Sequence, residues 1–327
     1  MSFLTPSRRF AAFVAGAALL VVVVQLTLAG PDLLIVDEAC VYAIAALGLN
    51  VIFGMTGLLS VAQAALMGIG GYTLTLMVAR HVGMLPALAL ACVAAAAVSA
   101  LTGVIGGRIR SHYFILISLA LAEGIILVLV NDMQLTGGTN GVALAASPTV
   151  FGLALGTPDG FAYVAVPLVF AIWYLTDCLR ASRFGIALLA ISTDEYLAAV
   201  AGIATNRYRV LATVVGGAYA GFAGGLLTIA DSYIGPQNFG LDTGILLLLI
   251  VVLAGAGSNA GTVVAALILT YLAHGLLTLT VVGELIYGLA IVILIIVAPD
   301  GLAGLGRLAR RGARTAWLRL TARGQPA

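Results

Sequence analysis

The segment between Arg180 and Arg209 carries the residue types that could act outside a membrane. It contains Ser192-Thr193-Asp194-Glu195, then Tyr196-Leu197-Ala198-Ala199-Val200-Ala201, then Gly202. The Ser-x-x-Glu spacing is that of a capping box, in which two side chains satisfy backbone N–H groups at a helix start. Carboxylates in a first turn suit the helix dipole, and Gly202 suits a left-handed helix end. The pattern predicts a helix of about two turns, which is too short to be stable without a partner.

Other kinds of reactive site are missing from the sequence. A Walker A loop needs a lysine, and the chain contains none. Cys40, Cys92 and Cys178 show no C-x-x-C spacing, and the three histidines show no metal-binding spacing. No paired carboxylates, histidine cluster or activated nucleophile indicates an enzyme. We therefore expect no catalytic residue, no metal site and no cofactor.

Three polar residues fall within or beside apolar stretches. Glu123 is the one carboxylate well inside such a stretch, where a charge costs about 3 kcal/mol or more and faces a cavity or a partner. A structural hydrogen bond in the protonated form is the alternative. Ser60 and Gln63 precede a glycine cluster, a pattern typical of a broken helix that lines a solute path or forms a re-entrant element. No second mid-span carboxylate supports a proton relay.

Composition identifies the surroundings of these residues. The chain is 62% hydrophobic and 9% charged, with a mean hydropathy of +1.16; soluble domains carry about 25% charged residues. Apolar runs of about 20 residues cross a bilayer. We predict an all-α integral membrane protein with about ten transmembrane helices, at residues 10–30, 35–54, 58–79, 85–106, 113–131, 160–178, 208–230, 243–258, 260–280 and 284–299.

The arginines orient these spans. If the N-terminus is cytoplasmic, Arg80 is the only one of the 15 basic residues to fall outside. Both termini and the loop 180–209 are then cytoplasmic, and the loop 131–160 is external. Residues 1–305 form the predicted membrane domain. Residues 306–327 form a basic cytoplasmic tail suited to an anionic lipid surface.

Two further patterns have more than one interpretation. Gly217, Gly221 and Gly225 repeat every fourth residue, which favours close helix packing and is also compatible with a pore wall. The external loop contains a run of turn-forming residues. It is either a flexible linker or a rim that contacts an external partner or lines a substrate entrance. The run consists of Thr136, Gly137, Gly138, Thr139, Asn140 and Gly141.

Several strings resemble the permease subunits of bacterial branched-chain amino-acid ABC importers. They are Leu47-Gly48-Leu49-Asn50 through Ser60 and Gly70-Gly71-Tyr72; the loop Leu135 to Gly141; Ser182-Arg183-Phe184-Gly185; Glu195 with Ala198-Ala199 and Gly202-Ile203; Val251 to Ser258; and Tyr287-Gly288 with Pro299-Asp300-Gly301-Leu302. The resemblance extends from about residue 40 to 305. Of the two paired permeases in these importers, the chain is similar to the M-type subunit. Gln63 stands where many members carry histidine.

The resemblance implies a fold, partners and a location. It implies a heterodimer with a sister permease, two cytoplasmic ATPase subunits and a periplasmic or lipid-anchored solute-binding protein, all at the bacterial inner membrane. In such importers the segment matched by Ser182–Ile203 docks on an ATPase. The residues expected to carry this coupling are Ser192, Asp194, Glu195, Ala198, Ala199 and Gly202; Ser60, Gln63 and Glu123 are expected to contact the translocation pathway. The alternative is a self-sufficient channel or an ion-driven transporter of small solutes.

Overall fold

A computed structural model describes residues 31–106, 111–144, 149–150, 153–154 and 156–277, with isolated positions 13, 16, 20, 21, 286, 288 and 289. The continuous ranges contain ten helices. They are α1 (Pro31–Thr56), α2 (Gln63–Ala79), α3 (Met84–Gly106), α4 (Ser111–Asn131), α5 (Pro158–Ala181), α6 (Arg183–Thr193), α7 (Glu195–Val200), α8 (Thr205–Asp231), α9 (Leu241–Ala254) and α10 (Asn259–Leu277).

The architecture confirms an all-α membrane protein. Six helical segments of the described ranges are long and apolar enough to cross a membrane: residues 32–56, 84–106, 113–131, 160–181, 205–231 and 236–254. The spans predicted at 58–79 and 260–280 correspond to the shorter apolar helices α2 and α10. The spans predicted at 10–30 and 284–299 lie outside the continuous described ranges. The tail 306–327 lies outside them as well.

The start predicted for the third span is wrong. Residues 57–61 are not helical, and α2 begins only at Gln63. Gly57 adopts a φ of +75°, a left-handed conformation that ends α1 and that glycine adopts without steric cost. Ser60 therefore lies in a connection between two helices and not inside a span.

Helix α8 forms the centre of the bundle through two faces of small residues. On one face, Gly217 and Gly221 lie against the backbone carbonyls of Ala95 and Ala91 in α3. Gly225 continues this face against Leu88. On the other face, Gly224 lies against the backbone of Met67 in α2. Small side chains let helix backbones approach closely in lipid, so α8 is held between its neighbours by van der Waals contact.

Two short antiparallel strand pairs lie in the connections. β1 (Val142–Ala143) pairs with β4 (Tyr233–Ile234), which follows α8, and β2 (Thr149–Val150) pairs with β3 (Leu153–Ala154). The first pair joins the connection after α4 to the connection after α8. The connection after α4 is thereby fixed to the centre of the bundle.

Replacing Gly221 by alanine should destabilise the protein, because a Cβ atom there would meet the backbone of Ala91 and the side chain of Ala95. Overpacking of this kind costs about 1–3 kcal/mol. Thermal unfolding in detergent should show a lower midpoint. Gly124→Ala is the control, since a Cβ at that helical position meets nothing within 4 Å. Equal midpoints for the two variants would contradict the packing assignment.

Candidate functional site

The helix α6 is fixed to the bundle along one face. Ser182 precedes it, and its Oγ accepts a hydrogen bond of 3.3 Å from the Gly185 N–H, which caps the helix. Leu188 of α6 is buried with Val51 and Met55 of α1 and with Ala212 of α8. The rings of Phe184 and Tyr208 stack with centroids 5.8 Å apart. The segment is thus attached to both α1 and α8.

Asp194 separates α6 from the short helix α7. Its backbone is extended, and its Oδ1 accepts a 3.0 Å hydrogen bond from the Leu197 N–H. Ser192 lies in the last turn of α6, where its hydroxyl donates to the Leu189 carbonyl at 2.9 Å. The predicted capping box of Ser192 and Glu195 is therefore wrong. Asp194 caps α7 instead, because aspartate is as effective at the N-cap as serine and the preceding helix includes Ser192.

Glu195 forms an ion pair with Arg209 of α8. The contacts are bidentate: Arg209 Nη1 donates to Oε1 at 2.5 Å and Nη2 donates to Oε2 at 2.7 Å. The Arg209 side chain is 5% exposed and the Glu195 side chain 49%. Sequence reasoning missed this pair because the residues are 14 positions apart and no local spacing joins them. The pair attaches the start of α7 to α8.

The end of α7 follows the expected pattern. Gly202 has a φ of +85°, which confirms the predicted left-handed helix end. The Gly202 N–H donates to the Ala199 carbonyl and the Ile203 N–H to the Ala198 carbonyl, both at 3.0 Å. These two bonds form a Schellman motif. The short helix is therefore defined at both ends.

The two faces of α7 differ in exposure. Tyr196, Leu197 and Val200 are 78%, 63% and 72% exposed. Ala198 is buried against the bundle, whereas Ala199 is exposed. Large apolar side chains this exposed on a short polar-flanked segment are typical of an interaction surface.

A chain of buried polar contacts lies beside this segment. Asn50 Nδ2 donates to Asn259 Oδ1 at 2.7 Å, and Asn50 Oδ1 accepts from the Gly257 N–H at 2.8 Å. Asn259 Nδ2 donates to Asp177 Oδ1 at 2.6 Å. The chain connects α1, the α9–α10 turn and the last turns of α5, just before Ser182. No sequence motif indicated it, since its members lie far apart in the chain.

The predicted pathway residues have different surroundings. Gln63 is fully buried, and its Nε2 donates at 3.0 Å to the carbonyls of Ala45 in α1 and Gly216 in α8. Ser60 is also buried. Glu123 is exposed on the outward face of α4, beside the exposed Gly124. The structure therefore does not bring Glu123 together with the other two residues.

The turn at residues 136–141 is held by contacts with the α8–α9 connection. The Thr136 hydroxyl donates to the Leu129 carbonyl at 2.6 Å, and the carbonyls of Thr139 and Asn140 accept from Gln237 and Tyr233, each at 2.8 Å. The glycines at 137, 138 and 141 all have φ between +61° and +72°. Of the two interpretations of the loop 131–160, the flexible linker does not fit residues 136–141, because these residues are held by hydrogen bonds.

The Glu195–Arg209 pair gives a direct test of how α7 is held. Glu195→Ala should leave the Arg209 guanidinium buried without its carboxylate and loosen the α7–α8 junction. Amide hydrogen exchange over residues 194–203 should become about tenfold faster, equivalent to about 1.4 kcal/mol. The reciprocal swap, Glu195→Arg with Arg209→Glu, should restore part of the protection. Unchanged exchange in Glu195→Ala would show that the pair does not hold α7.

The known proteins that this chain resembles are all transport permeases. Residues 33–298 match the family described as the branched-chain amino acid transport system permease component. The chain is 30% identical over 291 residues to the high-affinity branched-chain amino acid transport permease LivM of Salmonella typhimurium, covering 82% of this chain and 68% of the relative. It is 30% identical to LivH of Escherichia coli over 70% of this chain and 79% of the relative. The Escherichia coli ribose import permease RbsC is 27% identical over 74% and 76%. No solved structure matches.

Proposed function

The chain belongs to the family of branched-chain amino acid transport permeases, and we propose that its α7 helix is the site at which an ABC importer's ATPase subunit docks. The observation that carries this proposal is the exposed apolar face of α7 on a helix fixed at both ends. The protein moves solute and is not itself the source of ATP hydrolysis.

The docking face consists of Tyr196, Leu197 and Val200. Burying such side chains against a partner contributes about 1.5–3 kcal/mol each. The residues expected from sequence have distinct roles around this face. Asp194 and Gly202 define the helix ends, Glu195 attaches the helix to α8, and Ala198 packs inward. Ser192 ends α6, and Ala199 lies on the exposed side.

Motion of α7 is passed to the spans through α6. Leu188 packs on Val51 and Met55 near the end of α1, which is buried over most of its length. The Asn50–Asn259–Asp177 chain connects the same end of α1 to the α9–α10 turn. ATPase closure would then shift α1, α8 and this turn together as a rigid body.

The wider assembly follows from this assignment. We propose about ten spans with both termini in the cytoplasm, in a bacterial inner membrane. The partners are a sister permease, two ATPase subunits and a solute-binding protein that contacts the ordered turn 136–141. The solute is a branched-chain amino acid or a related small molecule.

Glu123 contacts the sister permease or the solute path, because a carboxylate on a lipid-depth face requires a polar neighbour.

The docking assignment predicts the effect of Leu197→Ala combined with Tyr196→Ala. In membranes with the cognate ATPase subunits, this variant should retain about a tenth or less of the bound ATPase and lose solute uptake. Leu101→Ala is the control, since Leu101 is 60% exposed on α3 and belongs neither to α7 nor to the turn 136–141. Normal ATPase binding and uptake in the double variant would contradict the assignment. Uptake without any ATPase would support the alternative of a channel or ion-driven transporter.

The proposed role of Glu123, in the solute path or at the contact with the sister permease, predicts a loss of uptake without a loss of ATPase binding. Glu123→Leu should lower solute uptake several-fold while ATPase binding stays normal, because the residue lies on α4 and not near α7. Glu123→Gln keeps a hydrogen-bonding group and should retain more uptake than the leucine variant. Full uptake in Glu123→Leu would remove the residue from the pathway and from the permease interface.

A further inference from the structure

Helix α4 is attached to the bundle along one side. The Ser118 Oγ accepts a 3.1 Å hydrogen bond from the Val61 N–H, and Ala122 packs on Ala62 and Ala65 beside the start of α2. The opposite side is exposed from one end of the helix to the other, at the three- and four-residue spacing of a single helix face. We call this face the outer stripe. It includes Leu116, Ala120, Glu123, Gly124, Leu127 and Asn131.

Glu123 brings a carboxylate to the middle of this stripe. It is the eleventh of the 19 residues in the span 113–131, so it lies close to the centre of a bilayer. Among the described residues, no hydrogen bond or ion pair satisfies its carboxylate, since the two ion pairs there involve Glu195 and Glu38. A carboxylate at this depth is costly unless a donor faces it, because acyl chains form no hydrogen bonds.

The exposed face of α3 shows what a face suited to lipid looks like in this protein. Every exposed residue of α3 is apolar. The outer stripe of α4 differs by its carboxylate, and its shape differs as well. Ala120 and Gly124 lie one turn apart, and a Cβ atom at Gly124 would meet nothing within 4 Å. The small pair forms a shallow notch between Leu116 and Leu127, into which another helix can pack closely.

The group that faces Glu123 has to come from another protein chain. Lipid headgroups lie at the bilayer surface, about 15 Å from its centre, and acyl chains carry no donor. The described residue of the first predicted span, Phe13, lies elsewhere: its ring packs on Trp173 and Tyr174 of α5, with centroids 5.0 Å and 5.4 Å apart. A membrane helix with a donor at mid-depth is complementary to the stripe in both charge and shape.

We propose that the outer stripe of α4 packs against a transmembrane helix of the sister permease, and that this helix places a hydrogen-bond donor opposite Glu123. The donor is the guanidinium, ammonium, imidazole or amide group of a side chain, each of which can donate to a carboxylate. This inference rests on the proposed importer assembly, and it selects one of the two contacts proposed for Glu123. Leu116 and Leu127 pack on the same helix on either side of the notch.

The test is site-specific photocrosslinking of the full-length chain, in membranes that also contain its sister permease and ATPase subunits. p-Benzoylphenylalanine takes the place of Leu116 or Leu127 on the outer stripe, and of Leu101 or Val93 on α3 as matched controls. Leu116 and Leu101 are 59% and 60% exposed, and Leu127 and Val93 are 64% exposed. Illumination should give an adduct with the sister permease from both α4 positions and only lipid adducts from both α3 positions.

Three results would overturn the inference: an adduct of the α4 positions with a second copy of this chain, a crosslink within the chain, or lipid adducts alone. The ATPase bound in the same membranes is measured separately. If the ATPase is retained and the α4 adduct is missing, this inference fails and the docking proposal stands. If the chain retains neither a sister permease nor an ATPase, the proposed importer assembly fails together with this inference.

Substitutions in the stripe give a second measurement. Ala120→Leu fills the notch, and Ala97→Leu makes the same change at an exposed position of α3. After purification in mild detergent, Ala120→Leu should retain about a tenth or less of the sister permease, whereas Ala97→Leu should retain all of it. Glu123→Leu should retain less than Glu123→Gln, because glutamine still accepts a hydrogen bond. Full retention in both leucine variants of α4 would overturn the interface.

Discussion

The close approach of backbones along α8 is the constraint on which the rest of the structure depends. Glycines on two faces of this helix lie against backbone atoms of α2 and α3. In a lipid environment, apolar side chains gain little from packing on one another instead of on acyl chains, so tight van der Waals contact holds helices together. Any larger side chain at these positions displaces a neighbouring helix. Because Arg209 and Ala212 lie on the same helix, the position of α8 also fixes the segment that follows α5.

Hydrogen bonds from several buried polar side chains to neighbouring helices add specificity to this packing. Gln63 joins α2 to the backbones of α1 and α8, and Asn50 and Asn259 join α1 to the α9–α10 turn. Where water is scarce, a polar group without a partner is costly, so such bonds select one arrangement of helices. They also place Gln63 in a structural position, where its amide holds three helices together.

Local sequence patterns predicted features that depend on local physics. The apolar runs predicted the six helices of the described ranges that are long enough to cross a membrane, and the glycine at 202 predicted the end of α7. The N-terminal end of α7 was predicted less well, because Ser192 and Asp194 are both good caps and only the extent of α6 decides between them. The start of α2 was misplaced since an apolar run continues through a non-helical connection.

Contacts between distant residues were beyond sequence reasoning. The Glu195–Arg209 pair and the Asn50–Asn259–Asp177 chain join positions whose spacing obeys no helical period. Which residues of a short helix face outward was equally undetermined, because Ala198 and Ala199 are chemically identical and differ only in orientation. Tertiary packing decides each of these cases.

The definition of α7 at both ends has a kinetic consequence. Its Asp194 cap, its Schellman motif and its contact with Arg209 are present in the isolated chain. An ATPase that docks on this surface, as proposed, would therefore find a preorganised helix, and association would not require coupled folding of the segment. Assembly of such a complex would be limited by diffusion and orientation of the partners, and the heat capacity change on binding would reflect the docked apolar area alone.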